Sequence, residues 1–125
     1  MAVYTGKKTL VVEDDFASRQ FLKFLLREIG LESITAETGE RALQVVEGET
    51  VDILLLDIAL GPGMTGLELC KQLKMKTEFK SIPAIAVTAF SKEHLAEFEG
   101  AGFVDYLAKP YSIDQLKSLL NKYLS

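Results

Sequence analysis

Four consecutive branched apolar residues, Ile53-Leu54-Leu55-Leu56, run straight into an aspartate, Asp57. Side chains along a strand point alternately to opposite faces, so a strand that is apolar at every position cannot leave one side in water. It must be covered on both faces, as strands are in parallel sheets flanked by helices. Thr9-Leu10-Val11-Val12 has the same character. Ile82 to Val87 repeats it, with Pro83 tolerated only near the start of the strand. Leu31 to Ala36 and Phe103 to Leu107 read as weaker strands.

Between these runs the apolar period changes to that of a helix. Phe21, Leu22, Leu25 and Ile29 recur at helical spacing before a stop signal, Gly30. Thr38 to Glu47 turns Ala42, Val45 and Val46 inward and is closed by Gly48. Gly66 to Lys74 carries Leu69 and Leu73, and Ser91 to Glu99 is short and polar, with only Leu95 and Phe98 on its apolar face. The last helix opens on a capping box, Ser112-x-x-Gln115, and Ile113, Leu116, Leu120 and Tyr123 share one side. Five strands alternating with five helices predict an α/β fold with a parallel sheet and helices on both faces.

A length of 125 residues fits one domain, 1–125, and a hydrophobic fraction of 48% is enough for a sizeable core. No run of about 18 apolar residues suggests a membrane span. Met1 to Gly6 lacks the basic and apolar regions of a signal peptide, and Cys70 has no partner for an internal disulfide. These features favour the cytoplasm. A net charge of −4 without a basic patch argues against direct nucleic-acid binding. The chain ends with its last helix, which leaves no room for an appended output domain, so a signal is expected to leave by docking.

Ligand sites in such sheets lie at the carboxyl ends of the strands, where the strand order switches direction. The residues at those ends are Glu13-Asp14-Asp15, Asp57, Thr88-Ala89 and Lys109-Pro110. On a strand order of 2-1-3-4-5, strands one and three are neighbours, and Glu13, Asp14 and Asp57 converge. Clustered carboxylates repel unless a cation joins them. Oxygen ligands without His or Cys suit Mg2+. A carboxylate can also attack a phosphoryl group to give an acyl phosphate. Lys109 can supply an ammonium against the transferring group, and Thr88 a hydroxyl donor. Taken singly, each residue has a more ordinary role. The acids favour a helix N-terminus, Asp57 and Thr88 suit strand-end turns, and Lys109 suits solvent. Their coincidence at the ends of four strands is what carries the functional reading.

At this point the chain resembles the receiver domain of two-component response regulators over nearly its whole length. The matching pieces are Val11-Val12-Glu13-Asp14-Asp15, Arg19, Leu54-Leu55-Leu56-Asp57, Met64-Thr65-Gly66-Leu67-Glu68-Leu69, Pro83-Ala84-Ile85-Ala86-Val87-Thr88-Ala89 and Asp105-Tyr106-Leu107-Ala108-Lys109-Pro110. The resemblance implies a flavodoxin-like doubly wound fold, with five helices on both faces of the sheet. It implies phosphotransfer to Asp57 from a sensor histidine kinase or histidine phosphotransfer protein. It also implies Mg2+ held by Asp14, Asp57 and the carbonyl of Ala59, with Glu13 acting through water. Thr88 and Tyr106 then look like a switch pair, Lys109 like the phosphate-binding lysine, and the Lys109–Pro110 bond is expected to be cis. The chain departs from the pattern in a longer loop after Asp57, with two glycines, and in a shorter helix after Thr88. It also has Glu at position 13 and a third acid, Asp15.

Other functions fit less well. A phosphatase of the haloacid dehalogenase type needs an acid two residues beyond its nucleophile, and here that position is Ala59, so the expectation is a self-phosphorylating switch and not a turnover enzyme. A flavin protein of this fold needs a phosphate cradle after the first strand, where Glu13-Asp14-Asp15 would repel the phosphate. A partner-binding pseudo-receiver would not need the full set of phosphorylation residues. A phosphorelay shuttle, a partner-binding regulator and a piece of a longer polypeptide remain open. His94 has no partner at metal spacing, and Cys70 reads as a packing residue. Phe24 falls opposite Leu22 and Ile29 on the first helix and is a candidate docking anchor. Ala59 and Phe90 flank the expected path of a hydrolytic water, and neither can orient it, which predicts a long-lived phosphoryl group.

Overall fold

The computed structural model describes Tyr4 and residues 6–89 and 95–124. Phe90, His94 and the expected helix start at Ser91 lie outside them. In chain order the elements are β1 (Lys8–Val12), α1 (Phe16–Ile29), β2 (Glu32–Ala36), α2 (Gly39–Val45), β3 (Ile53–Asp57), α3 (Gly66–Met75), a 3-10 turn (Thr77–Phe79), β4 (Ala84–Thr88), α4 (Leu95–Ala101), β5 (Asp105–Ala108) and α5 (Ile113–Leu124). All neighbouring strands pair in parallel, in the order β2-β1-β3-β4-β5. The predicted fold is therefore the observed one.

Both faces of the sheet are buried, as the unbroken apolar runs require. Leu10, Val12, Leu54, Leu56, Ala84 and Ala86 join a core with Ala42 of α2, Leu69 and Leu73 of α3 and Phe98 of α4. The alternate residues, Val11, Ile53, Leu55, Ile85 and Val87, pack with Leu22 and Leu26 of α1 and with Leu116 and Leu120 of α5. So α1 and α5 cover one face, and α2, α3 and α4 the other.

Three details differ from the sequence reading. β4 begins at Ala84 and not at Ile82, because Pro83 has no N–H for the ladder; only its carbonyl takes part, accepting from the Leu54 N–H at 2.9 Å. β5 spans Asp105–Ala108 and not Phe103 to Leu107, because the Phe103 ring is drawn into the core edge-on against Phe98, at 6.2 Å between centroids. Phe21 is not part of the buried stripe of α1. That stripe is Leu22, Leu25, Leu26 and Ile29, and Phe21 lies beyond its edge, 51% exposed.

The start of α3 is what presses most closely on the end of β3. The Thr65 hydroxyl accepts from the Glu68 N–H at 3.1 Å, and the Glu68 carboxylate accepts from the Thr65 N–H at 3.3 Å, which fixes the first turn. Gly66 then donates its N–H to the Ile58 carbonyl at 3.2 Å. A Cβ at Gly66 would lie 2.1 Å from the Asp57 carbonyl oxygen and 2.8 Å from Ile58 Cα, so no side chain fits there. Gly66→Ala is expected to destabilise the fold by about 1–3 kcal/mol, the usual cost of overpacking. The check is the urea midpoint. A midpoint equal to wild type would mean that α3 steps back from β3 without cost.

Candidate functional site

The pairing of Val12 with Leu56 brings the ends of β1 and β3 side by side. Glu13 and Asp57 are buried there, 4% and 6% exposed, while Asp14 faces solvent. One carboxylate oxygen from each of the three lies within 4.8 Å of the others. Lys109, just beyond β5, reaches back into this cluster. Its ammonium donates to Glu13 Oε1 and lies 3.5 Å from Asp57 Oδ2. Burial pulls the Lys109 pKa down, but the Glu13 hydrogen bond and the charges of Asp57 and Glu13 outweigh it and hold the pKa above the ordinary lysine value. The Lys109 N–H donates to the Thr88 carbonyl at 2.8 Å, and the Lys109–Pro110 peptide is cis.

Neighbouring groups hold Glu13 and Asp57 in place. Glu13 donates its N–H to the Ala36 carbonyl at 3.1 Å, its Oε2 accepts from the Asp15 N–H at 3.1 Å, and its carbonyl accepts from Arg19 Nη1 at 2.7 Å. Asp57 Oδ1 accepts from the Ala59 N–H at 2.9 Å. Ala59 itself is exposed and has no side-chain group that could orient a water. Asp15 has a different role from the other acids. It is the N-cap of α1, with Oδ2 accepting from the Ser18 N–H at 2.8 Å, and this bond lowers its pKa.

Thr88 ends β4, buried, and Tyr106 lies half-buried in the adjoining β5, paired with Ala86. Residues 86 and 88 share a face of β4, so Thr88 and Tyr106 lie on the same side of the sheet, the side of α2, α3 and α4. The neighbour of Tyr106, Asp105, bridges to α5. Its Oδ1 accepts from the Tyr106 N–H at 2.8 Å, and its Oδ2 accepts from Tyr123 at 2.8 Å and from Lys122 at 3.2 Å. Burial would raise the Asp105 pKa, but these hydrogen bonds lower it.

Cys70 is buried, and burial pushes its thiol up to about 11, in keeping with a packing role. Phe24 is 57% exposed, and Phe16 and Phe21 are exposed on the same helix. The sequence reading missed Phe16, whose ring lies 5.5 Å from the Arg19 guanidinium. It quoted Thr65, Gly66 and Glu68 as matching pieces but not their roles, the close approach of Gly66 to β3 and the Thr65-x-x-Glu68 cap. The cap pattern was available as a signal; the close approach at Gly66 leaves no mark in sequence.

The donor set fits a hard divalent cation. All three acidic donors are carboxylate oxygens, and Asp14 opens the cluster to solvent, so an ion could keep several of its waters. The family profile of the response regulator receiver domain matches residues 9–121. The chain belongs to this family, the receiver domains of two-component and phosphorelay systems. It is 33% identical over 120 residues to sporulation initiation phosphotransferase F of Bacillus subtilis (strain 168), which covers 95% of this chain and 94% of the relative. Its fold is similar to that of the chemotaxis protein CheY4 of Vibrio cholerae, with a TM-score of 0.89 at 30% identity, covering 94% of this chain and 98% of that one. It is also similar to the response regulator TrrA of Thermotoga maritima, solved in complex with Mg2+ and BeF, with a TM-score of 0.83 at 36% identity, covering 94% and 99% of the two chains. No helix among the described residues is long and apolar enough to cross a membrane.

The cluster predicts a reversal of stability with metal. In EDTA, Asp14→Asn is expected to be at least as stable as wild type, because it removes one of three clustered charges. In MgCl2 at about ten times its Kd, wild type is expected to gain about 1.4 kcal/mol and Asp14→Asn little or none. Thermal melts in the two buffers check this. An identical Mg2+ effect on both proteins would place the ion elsewhere.

Proposed function

We propose that this chain is a phosphorylation-controlled switch whose phosphoacceptor is Asp57 and whose donor is a phosphohistidine on a sensor kinase or a phosphotransfer protein. The observation that carries it is the Lys109 ammonium set against Glu13 and Asp57 at the carboxyl ends of β1 and β3. An Asp57 oxygen bonds to phosphorus as the phosphorus–nitrogen bond breaks. The electron pair leaves on the donor imidazole, which takes up a proton. Mg2+, held by Asp14, Asp57 and the Ala59 carbonyl, with Glu13 through water, would supply positive charge that offsets the charge of the transferring group. Lys109 is placed to follow the new phosphoryl oxygens. Thr88 is the donor on the neighbouring strand, and Tyr106 the group that moves when Thr88 turns.

Such a protein is a switch and not a turnover enzyme, a reading supported by Ala59, where a hydrolytic acid would stand. The absence of a basic patch and of an apolar span in the sequence supports action on proteins in the cytoplasm. Docking of the donor is supported by the exposed aromatics of α1 and by a groove of about 550 Å³ beside Lys109, lined by Ser18, Phe21, Ala89, Lys109, Pro110 and Tyr111. Exposed aromatic side chains are common anchors in protein recognition.

Intact mass after incubation with acetyl phosphate tests the acceptor. Wild type should gain one base-labile phosphate, and neither Asp57→Asn nor wild type in EDTA should gain it. Labelling of Asp57→Asn at the wild-type rate would move the acceptor elsewhere. In the same assay Phe24→Ala should slow transfer from a phosphohistidine protein and leave acetyl phosphate labelling unchanged.

The switch has its own readout. Beryllofluoride with Mg2+ should shift amide signals around Thr88 and Tyr106 as well as those around Asp57. Changes confined to residues 57–66 would mean that the two strands are not coupled.

A further inference from the structure

The connection between β3 and α3, residues 58–65, carries the Ala59 N–H that orients Asp57 Oδ1, so whatever fixes this loop helps to fix the acceptor. Ile58 and Leu60 bury one end of it. The other end, where Gly61, Pro62 and Gly63 are exposed, is tied to a different element, the first turn of α2. Glu40 Oε2 accepts from the Met64 N–H at 3.1 Å. Gly63 has a left-handed backbone, φ +102°, and a Cβ there would lie 3.2 Å from the same carboxylate oxygen. Gly39 lies against the Met64 side chain, and a Cβ there would meet Met64 Sδ at 2.9 Å and Met64 Cβ at 3.0 Å. Both glycines give up space that the contact needs. On its other side, the strand leading into α2 holds Glu13, through the Glu13 N–H on the Ala36 carbonyl.

We infer that Glu40, with Gly39 and Met64, forms a latch that closes the β3–α3 loop onto α2, and that Glu40 is thereby a positioning residue for Asp57. The carboxylate acts through the Met64 N–H on the loop, and the loop acts through the Ala59 N–H on Asp57. The acidic cluster is then framed from both sides by the start of α2, with Glu13 held by the strand before it and Asp57 by the loop latched to it. Release of the latch leaves Asp57, Asp14, Glu13 and Lys109 all present but allows the Asp57 carboxylate to rotate. The consequence falls on cation binding first, since that needs the carboxylates held in one arrangement.

The inference rests on the reading of Asp57 as a Mg2+-dependent acceptor. The test uses the full chain, MgCl2 as the probe, and two readouts: hydrogen exchange of the Met64 amide and the Mg2+ dissociation constant from amide shifts. Glu40→Ala should speed exchange at Met64 about fivefold, as for loss of one hydrogen bond, and raise the Mg2+ dissociation constant about tenfold, the lower end of effects from groups behind metal ligands. Its acetyl phosphate labelling should slow at low Mg2+ and return to the wild-type rate at saturation. Glu40→Gln keeps an acceptor oxygen and loses the charge, so it should behave as wild type. Gly39→Ala should weaken Mg2+ binding, and adding Met64→Ala, which removes the clashing side chain, should restore it. If Glu40→Gln binds Mg2+ as weakly as Glu40→Ala, the effect is one of net charge and the latch is refuted. An unchanged dissociation constant in Glu40→Ala, with Met64 exchange raised, refutes the positioning role and leaves the Asp57 reading intact. Wild type that fails to bind Mg2+ overturns both.

Discussion

The structure is organised around three carboxylates forced together where two adjacent strands end. Repulsion among them is strengthened because Glu13 and Asp57 are buried, where the effective dielectric is lower than in water. The surrounding contacts all reduce that strain. Lys109 brings an ammonium between two of the acids, the Ala59 and Asp15 N–H groups donate to carboxylate oxygens, and Arg19 ties down the Glu13 backbone. One lysine cannot neutralise three acids, so the site keeps an excess of negative charge at its open side, at Asp14. The proposed Mg2+ would offset this imbalance.

The sheet makes the arrangement possible because it is rigid on both faces. Its two cores are built from alternate residues of the same strands, so neither face can shift without disturbing the other. The strand ends are therefore fixed points, and the loops leaving them are free to vary. The loop after β3 is long enough to need its own support, which it takes from α2.

Much of this was legible in the sequence. Both buried faces and the four strand-end positions follow from where apolar runs stop, because a fully buried strand announces its end with its first polar residue; the strand order was a condition of the reading, and the structure supplies it. Glu13, Asp57, Thr88 and Lys109 were readable in that way, whereas Ala59 and Tyr106 came only from family resemblance. What was not legible depends on contact and not on period. The ring of Phe103 leaves the sheet to meet Phe98, Phe21 stands just outside a helical stripe, and Glu40 meets a backbone amide 24 residues away. None of these leaves a local signature. Asp15 shows the converse, since its place in an acidic run suggested a further acid for the site, while its geometry is that of a helix cap.

Lys109 is held at both ends. Its backbone N–H is bonded to the Thr88 carbonyl and its side chain to the acids of β1 and β3. One residue thus joins the carboxyl ends of β1 and β3, through its side chain, to the carboxyl end of β4, through its backbone. The distance from the Asp57 carboxylate to the β4–β5 rung is spanned by a single side chain.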